Sequence, residues 1–330
     1  MRERQTQDIP ATMRAVLLRG VTRAEAIRLV HCPVPPVEPD WVLVRIRAFG
    51  INHAEQILRL EEITAEYIQK PVIPGIECVG EIADASNSRF FPGQKVVALM
   101  GGMGRSFNGS YAEYALLPAH HVFSVDVSLP WEELAAVPET YFTAWGSLFH
   151  CLCMKPGEHL LVRGASCALG HAVLQLAKAL GCKVTATTHR AARLAALEQM
   201  GADVALLDDG LLAGRVQGIA KALELVGPKT LRDTLRCVEP GGVVCNTGIL
   251  GGEYELNSFD PIKEIPNGVY LTGFFSNTPT QGDIDDIFSF LEKHHLTPCL
   301  GKVYDFDDIK TALEDMDRKR VQGKVVIRVA

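Results

Sequence analysis

Short apolar or alternating runs characterise residues 13–130 of the chain. Four of them are typical of β-strands: Met13–Leu18, Trp41–Ala48, Gly80–Ala85 and Lys95–Leu99. Proline and glycine separate the runs, for example at Pro74-Gly75 and Pro92-Gly93. This spacing predicts a compact, partly closed antiparallel fold for the first part of the chain.

From about residue 131 to residue 275, strand-like runs alternate with helical periodicity. Six runs are candidate strands: Leu160–Gly164, Lys183–Thr188, Val204–Leu207, Ala222–Val226, Val243–Thr247 and Val269–Phe274. The alternation predicts a parallel sheet with helices on both faces. An amphipathic helix over Gly282–His294 follows, and then a strand, a helix and a strand over Gly301–Tyr304, Ile309–Lys319 and Lys324–Val329. The last strand must return to the first domain if both domains are to be closed.

One stretch, LLVRGASCALG over residues 160–170, joins a strand to a helix through a tight turn. The apolar residues of the strand lead into Gly164, and from Leu169 to Leu180 apolar residues recur at helical spacing. With the next strand, this forms a βαβ unit of the dinucleotide-binding kind. The turn exposes backbone N–H groups at a helix N-terminus, where a pyrophosphate can bind.

The glycine fingerprint of such a site is incomplete in this turn. In the G-x-G-x-x-G frame that ends at Gly170, Ala165 stands at the first glycine and Cys167 at the second. The second glycine normally allows the backbone to approach the pyrophosphate closely. The turn alone therefore leaves two interpretations open, a nucleotide site and an ordinary strand–helix junction.

Length and composition restrict the class of protein. A chain of 330 residues exceeds the usual size of a single core, which predicts two domains. The net charge of −6 argues against a nucleic-acid footprint, and no apolar run reaches the roughly 18 residues of a membrane helix. The polar first twelve residues lack the apolar core of a signal peptide and are predicted to be a leader. Nine scattered cysteines without a C-x-x-C pair favour a reduced, cytoplasmic setting.

A set of motifs along the chain resembles one known superfamily. The motifs are GINHAE (50–55), PVIPGIE (71–77), GSYAEYALLP (109–118), VPETYFTAWGSL (137–148), RGASCALGHAVLQLAKALG (163–181), EPGGVVCNTG (239–248), LTGF (271–274) and GKVVI (323–327). Their order and spacing resemble the medium-chain dehydrogenase/reductase superfamily, most of all its zinc-independent quinone-oxidoreductase and enoyl-reductase branch. The resemblance covers about residues 13–329.

This resemblance implies an α/β protein of two domains. A GroES-like, partly closed β-barrel catalytic domain is expected over residues 1–130 and 300–330. A six-stranded parallel Rossmann domain that binds NADPH is expected over residues 131–299. The active site is then expected in the cleft between them, at the carboxyl ends of the parallel strands.

The resemblance also bears on zinc. Zinc-dependent members carry their catalytic ligands at positions that hold Asn52, Ile76 and Glu139 here. These three side chains do not make a catalytic Zn²⁺ site, so no metal is predicted. Among possible substitute ligands, His120 and His121 are expected to point to opposite faces of a strand and not to ligate together.

Two side chains are predicted to act on the substrate. Without a metal, the reagent is the nicotinamide hydride, and a donor must stabilise the charge that develops on a carbonyl oxygen. Asn52 matches a family position beside the nicotinamide and can donate from its amide, with a loop-capping role as the alternative. Tyr141 matches the edge of the implied cleft and can donate a hydrogen bond or a proton, with a packed aromatic ring as the alternative.

Three carboxylates and one substitution complete the implied catalytic region. Glu55 and Glu77 are interpreted mainly as structural partners of nearby basic groups. Glu139 is either an acid or a half-buried surface carboxylate. A tyrosine found in many quinone reductases is replaced by Ile57, which puts the usual quinone pocket in doubt.

The end of the second Rossmann strand indicates the cofactor. NAD-specific folds place a carboxylate about 20 residues past the last glycine to hold the ribose 2′-OH. This chain has His189 and Arg190 there, with Arg193 one helical turn further. Guanidinium groups suit a 2′-phosphate, so we predict NADPH, with a basic helix start at the surface as the alternative.

The predicted cofactor contacts lie in the turn and in several later segments. In the turn they are Gly164, Ala165, Ser166, Cys167, Ala168, Leu169 and Gly170. Elsewhere the resemblance implies Thr143, Thr188, His189, Arg190, Arg193, Val226, Gly248, Ile249, Phe275 and Lys324. Asp208 replaces a tyrosine of related quinone reductases, and nothing in the sequence explains the change.

The sequence therefore supports the hypothesis of an NADPH-dependent, zinc-independent oxidoreductase that transfers hydride to a quinone or an α,β-unsaturated carbonyl. Two alternatives stay open: a member that keeps the fold without redox turnover, which Cys167 suggests, and an alcohol dehydrogenase. A small-molecule substrate is expected, with no nucleic-acid or membrane partner. The run Val269–Phe275, at a strand where family members commonly pair edge to edge, predicts a homodimer.

Overall fold

The computed structural model describes residues 9–329, which divide into two compact units. Unit 1 contains the described residues up to Glu139, the segment Asn277–Glu292 and the residues from Thr297 onward. Unit 2 contains Thr140–Ser276 and Lys293–Leu296. Residues 1–8 of the predicted leader lie outside the described residues.

The strands of the described part are, in chain order, β1 Thr12–Val16, β2 Leu29–Pro33, β3 Trp41–Ile51, β4 Glu77–Asp84, β5 Lys95–Leu99, β6 Tyr114–Pro118, β7 Val122–Ser124, β8 His159–Arg163, β9 Lys183–Thr188, β10 Val204–Leu207, β11 Ile219–Glu224, β12 Val238–Asn246, β13 Tyr270–Gly273, β14 Leu300–Asp305 and β15 Lys324–Arg328. The α-helices are α1 His53–Leu60, α2 Trp131–Leu134, α3 Pro138–Trp145, α4 Ala168–Ala179, α5 Leu194–Gln199, α6 Pro228–Thr234, α7 Pro261–Glu264, α8 Gln281–Lys293 and α9 Ile309–Asp317.

Unit 1 is built on a seven-stranded sheet of order β14-β15-β3-β4-β5-β7, with β6 paired to β3. All of its pairs are antiparallel except β14 with β15. Strand β15 lies antiparallel to β3, with Val325 opposite Ile51, so the later part of the chain returns to the first domain as the pattern predicts. A buried core that includes Ile46, Phe49 and Ile327 fills this GroES-like unit.

Unit 2 is a six-stranded sheet of order β10-β9-β8-β11-β12-β13 in which every pair is parallel. The prediction of a parallel Rossmann sheet is confirmed, and β9 and β10 have the predicted bounds. The strand order reverses between β8 and β11, which is where open α/β sheets bind ligands beyond the carboxyl ends of their strands.

The division into units differs from the predicted domain bounds at residues 130 and 299. Helix α8 lies in unit 1 except for Lys293, and Gln281 at its start is bonded to strand β7: its side chain accepts from Ser124 N at 3.1 Å and donates to Ser124 O at 2.9 Å. The sequence pattern gave no sign of this contact. None of the helices in residues 9–329 has the length and apolar character needed to cross a membrane.

Candidate cofactor and active site

The turn after β8 is held against the end of β9 by two hydrogen bonds. Gly164 has a φ of +82°, and its N–H donates to Thr187 Oγ1 at 3.1 Å. The N–H of Ala165 donates to the Thr187 carbonyl at 2.9 Å. Because glycine adopts positive φ without steric penalty, it allows the chain to turn sharply from β8 towards α4.

The start of α4 has the close packing that a dinucleotide turn requires. A Cβ atom at Gly170 would lie 2.1 Å from the Ala165 carbonyl oxygen, so only glycine fits there. Cys167 is the N-cap residue, and its Sγ accepts from Gly170 N at 3.3 Å. The sulfur thus accepts the hydrogen bond of one N–H group at this helix N-terminus, and the fold of the turn is intact.

Two arginines of the predicted 2′-phosphate site lie beside the turn. Arg193 Nη1 donates to the Ser166 carbonyl at 2.9 Å, and Ser166 Oγ lies 3.1 Å from Thr188 Oγ1. The backbone N–H of Arg190 donates to Thr188 Oγ1 at 3.2 Å, and its Nε donates to Nε2 of exposed His189 at 3.3 Å. Burial lowers the pKa of Arg193, and the nearby charge of Arg190 lowers it further. The fold therefore brings these five predicted residues together in a basic, hydroxyl-rich cluster.

A buried guanidinium under the turn explains Asp208. Arg163, the last residue of β8, is 0% exposed and donates to both carboxylate oxygens of Asp208, at 2.8 and 2.9 Å. It also donates to Asp233 Oδ2 at 2.7 Å, while the Thr187 hydroxyl donates to Asp208. Arg163 holds the pKa of the Asp208 carboxyl below its usual range, against the effect of burial. Asp208 is thus an internal ion-pair partner that ties β8 to the residue after β10.

The carboxyl ends of β11 and β12 form a second wall of unit 2. The Glu224 carboxylate accepts from Val226 N at 2.7 Å and so shapes the loop after β11. A Cβ at Gly248 would lie 2.2 Å from the Leu225 carbonyl oxygen, so the loop after β12 packs directly on this backbone. Asn246 Oδ1 is buried without a hydrogen-bond partner in the described part of the chain. Such an acceptor costs free energy that a bound donor would recover.

The remaining predicted residues of unit 2 differ widely in exposure. Tyr141 is 0% exposed, and its hydroxyl donates to Gln175 Oε1. This geometry fits the packed aromatic alternative, and the catalytic role of Tyr141 stays a prediction. Thr143 is also buried, Ile249 is half-buried, and Phe275 is 78% exposed. Their predicted cofactor contacts stay predictions.

In unit 1, Asn52 is part of a buried charged cluster. It is the N-cap of α1, and its Nδ2 donates to Glu77 Oε1 at 2.8 Å. Lys324, on β15, donates from Nζ to Asn52 Oδ1 and contacts Glu77 Oε1, both at 2.5 Å. The other Glu77 oxygen accepts from Glu139 N at 2.8 Å. Glu77 and Lys324 are 0% and 1% exposed, so the interpretation of Glu77 as the partner of a basic group fits this geometry.

A second buried carboxylate borders the cluster. Glu55 is 1% exposed, and its oxygens accept from Asn52 N at 2.6 Å and Ile76 N at 3.0 Å. Burial raises the pKa of Glu55 to about 7, an effect that nearby Lys324 opposes and Glu77 reinforces. Sequence reasoning missed the links of Lys324 to this cluster and had assigned that lysine to the cofactor, which stays a prediction.

The fold offers no ligand set for zinc in residues 9–329, where no group of three or more His, Cys, Asp or Glu side chains is arranged to hold a metal. At the positions of the family ligands, Ile76 has no donor side chain and Asn52 already contacts the Lys324 ammonium. The sequence argument about the adjacent histidines was wrong in its geometry. His120 and His121 lie in a 3-10 turn and not on a strand, with ring centroids 4.5 Å apart.

Comparison with known proteins places this arrangement in a family. Residues 38–127 match the family described as alcohol dehydrogenase GroES-like domain, and residues 168–293 match the family described as zinc-binding dehydrogenase. Quinone oxidoreductase from Homo sapiens is 29% identical over 322 residues, which cover 92% of this chain and 94% of the human protein.

Two solved structures share the fold. Quinone oxidoreductase from Pseudomonas syringae pv. Tomato DC3000 has a TM-score of 0.84 at 24% identity, covering 96% of this chain and 99% of that one. Mycobacterial Rv1454c, solved in complex with NADPH, has a TM-score of 0.83 at 23% identity, with the same coverage of both chains. The motifs, the two family matches and the human quinone oxidoreductase together show that the chain belongs to the medium-chain dehydrogenase/reductase superfamily, in its quinone oxidoreductase branch.

Proposed function

We propose that this oxidoreductase uses NADPH to reduce quinones or α,β-unsaturated carbonyl compounds without a metal ion. The observation that carries the proposal is the basic cluster of Arg190 and Arg193 beside Ser166 and Thr188. The end of β9 holds no carboxylate that would bind a ribose 2′-OH. A 2′-phosphate would instead bring two negative charges to two guanidinium groups.

The chain's own residues support cofactor binding in unit 2. Gly164 and Gly170 allow the tight turn into α4 that suits a pyrophosphate at a helix N-terminus, although Cys167 Sγ already accepts from one N–H group there. Bound NADPH would supply the hydride. The NADPH complex of the structurally similar mycobacterial protein agrees with this choice of cofactor.

Asn52 is the proposed donor to the substrate. Its half-buried carboxamide can donate a hydrogen bond to the oxygen that gains negative charge when hydride attacks the conjugated carbon. A zinc ion does not fit this cluster, because the Lys324 ammonium already contacts both Asn52 and Glu77. Alcohol oxidation is disfavoured for the same reason, since the alkoxide would have no Lewis acid.

The test is a cofactor comparison with Arg190→Ala. NADPH oxidation is followed with 1,4-naphthoquinone and 2-cyclohexenone, and Arg236→Ala, at an exposed site of unit 2, is the matched control. One charged hydrogen bond is worth about 1.5–3 kcal/mol, so we expect the KM for NADPH to rise about 10- to 100-fold in Arg190→Ala. The KM for NADH should stay the same. An equal rise in KM for both cofactors would indicate that the arginine is structural. Equal use of both cofactors by the unmodified protein would contradict the 2′-phosphate site.

Two further measurements separate the alternatives. NADPH should quench the protein fluorescence and be oxidised. Quenching without turnover of any acceptor would favour a member that has lost redox activity. Metal analysis should find no stoichiometric zinc, and a chelator should leave activity unchanged; one tightly bound Zn²⁺ per chain would contradict the metal-free mechanism.

A further inference from the structure

We propose that Lys324 and Glu77 are positioning residues that fix the carboxamide of Asn52 so that one N–H remains to bind the substrate oxygen. The inference rests on the reductase function proposed above. It assigns Lys324, 272 residues away from Asn52 in the chain, to the substrate side of the reaction and not to the cofactor.

Lys324 and Glu77 determine the orientation of the Asn52 carboxamide. An ammonium group can only donate hydrogen bonds and a carboxylate can only accept them. Lys324 Nζ therefore meets the amide oxygen, at 2.5 Å, and Glu77 Oε1 meets the amide nitrogen, at 2.8 Å. A flipped amide would bring donor against donor and acceptor against acceptor, so a single orientation is favoured.

In this orientation one N–H of the Asn52 amide stays available. The amide nitrogen of Asn52 carries two hydrogens, and Glu77 accepts one of them. Within residues 9–329, the second hydrogen has no acceptor, and the Asn52 side chain is only half-buried. A preformed donor of this kind is what a developing oxyanion requires.

The cluster is also closely packed. Lys324 and Glu77 are 1% and 0% exposed. A Cβ on Gly50 would lie 2.3 Å from Lys324 Cε and 2.4 Å from Glu77 Oε1, so the pair packs directly against the backbone of β3. Because the ammonium bonds to the amide oxygen, it polarises the amide and strengthens its remaining N–H as a donor.

The experiment is a double-mutant cycle between Asn52 and its supporting pair. Lys324→Met alone leaves the Glu77 carboxylate buried without its cation, which destabilises the fold. The informative variant is therefore the neutral combination Glu77→Gln/Lys324→Met, made with and without Asn52→Ala. Lys302→Met, on neighbouring β14, is the matched control, since this exposed lysine lies opposite Val325 and outside the cluster. Circular dichroism and Tm verify folding of each variant.

The expected result is strong non-additivity in kcat with NADPH and 1,4-naphthoquinone. Removing one oxyanion donor typically lowers kcat about 10²- to 10³-fold. We expect Asn52→Ala and the neutral combination each to lower kcat by about this factor. The triple variant should lower kcat little further. The KM for NADPH should change less than about twofold, since the cluster does not hold the cofactor. Lys302→Met should match the unmodified protein.

Three outcomes would overturn the inference. Losses that multiply would show that the pair and Asn52 act independently. A rise only in the KM for NADPH would return Lys324 to the cofactor. If the unmodified protein binds NADPH but reduces no acceptor, the reductase proposal fails. The side-chain ¹⁵N–¹H NMR signals of Asn52 in the unmodified protein and in the neutral combination then test the inference. Signals that differ between the two support an amide held by Lys324 and Glu77, and identical signals overturn the inference.

Discussion

Glu55 shows how burial sets the chemistry of a single residue. Its carboxylate is 1% exposed and accepts two backbone N–H groups, from Asn52 and Ile76. These bonds favour the charged form, but burial dominates and raises the pKa of Glu55 to about 7 from a usual value of 4.5. The group therefore changes charge near neutral pH, beside the cluster that holds the proposed donor.

The raised pKa predicts a pH dependence of stability. The folded state binds a proton more tightly than the unfolded state, so between pH 4.5 and about 7 folding retains a proton that unfolding releases. The free energy of unfolding should fall as pH rises through this window, by up to about 3 kcal/mol from Glu55. Glu55→Gln should remove this contribution. The Tm of Glu55→Gln, measured relative to that of the unmodified protein, should therefore rise from pH 5 to pH 8. Parallel Tm curves would contradict the assignment.

Residue chemistry was predictable where it depends on local sequence and not where it depends on distant partners. The proximity of Arg190 and Arg193 was predictable because both follow β9 closely in the sequence. The contact of Lys324 with Asn52 spans 272 residues, and the pair of Arg163 with Asp208 spans 45. No periodicity reports such contacts, so the role of Asp208 and the surroundings of Asn52 came only from the fold.

At the scale of elements, the junction of β8 and α4 has the strictest packing in the proposed cofactor site. A Cβ at Gly170 would meet the oxygen, carbon and Cα of Ala165 at 2.1–2.6 Å. The first turn of α4 therefore rests directly on the backbone of the phosphate turn. A larger residue must push the helix away from the turn and open the anion site.

Gly170→Ala should for this reason weaken NADPH binding and lower the Tm of the protein. Overpacking of this kind costs about 1–3 kcal/mol, and if the NADPH-bound form bears that cost the affinity falls roughly 5- to 150-fold. Fluorescence titration with NADPH measures the loss. Gly282→Ala in α8 is the control, because its Cβ would have no neighbour closer than 3.7 Å. Normal affinity in Gly170→Ala would mean that the phosphate turn is elsewhere.

Elements were predictable in proportion to the regularity of their pattern. Strands β5, β9 and β10 have the predicted bounds, because apolar runs there end at clear turn signals. Helix α1 and strands β2, β6 and β7 were not predicted. Strand β7 has only three residues, and β6 follows a glycine- and serine-rich stretch, so their pairing depends on β5 and β3 and not on local pattern.

At the scale of the whole molecule, one edge of the parallel sheet is bordered by two exposed aromatic side chains. Strand β13 ends the strand order of unit 2 and covers Tyr270–Gly273, shorter than the run Val269–Phe275 that the sequence singled out. Tyr270 is 62% exposed and Phe275 is 78% exposed. Such an edge is a liability unless another chain covers it, which is the physical basis for expecting a homodimer.

The variant Tyr270→Lys/Phe275→Lys should be a monomer at micromolar concentration, while the unmodified protein should sediment as a dimer. Charges on an edge strand oppose pairing with a second copy. Leu211→Lys is the control, since this residue of unit 2 is 70% exposed but lies away from β13. A monomeric unmodified protein would remove the edge-to-edge dimer.

The return of β15 to β3 also determines the order in which the molecule can be completed during synthesis. Domains generally fold as units while the ribosome adds about 5–20 residues each second. Unit 2 has nearly all of its residues once the chain passes Ser276, whereas the sheet of unit 1 still lacks β14 and β15. Until residue 324 emerges, the carboxylate of Glu77 has no ammonium beside it. The unit whose strands are made first is therefore the last to close, and a stalled chain would expose its half-built charged interior.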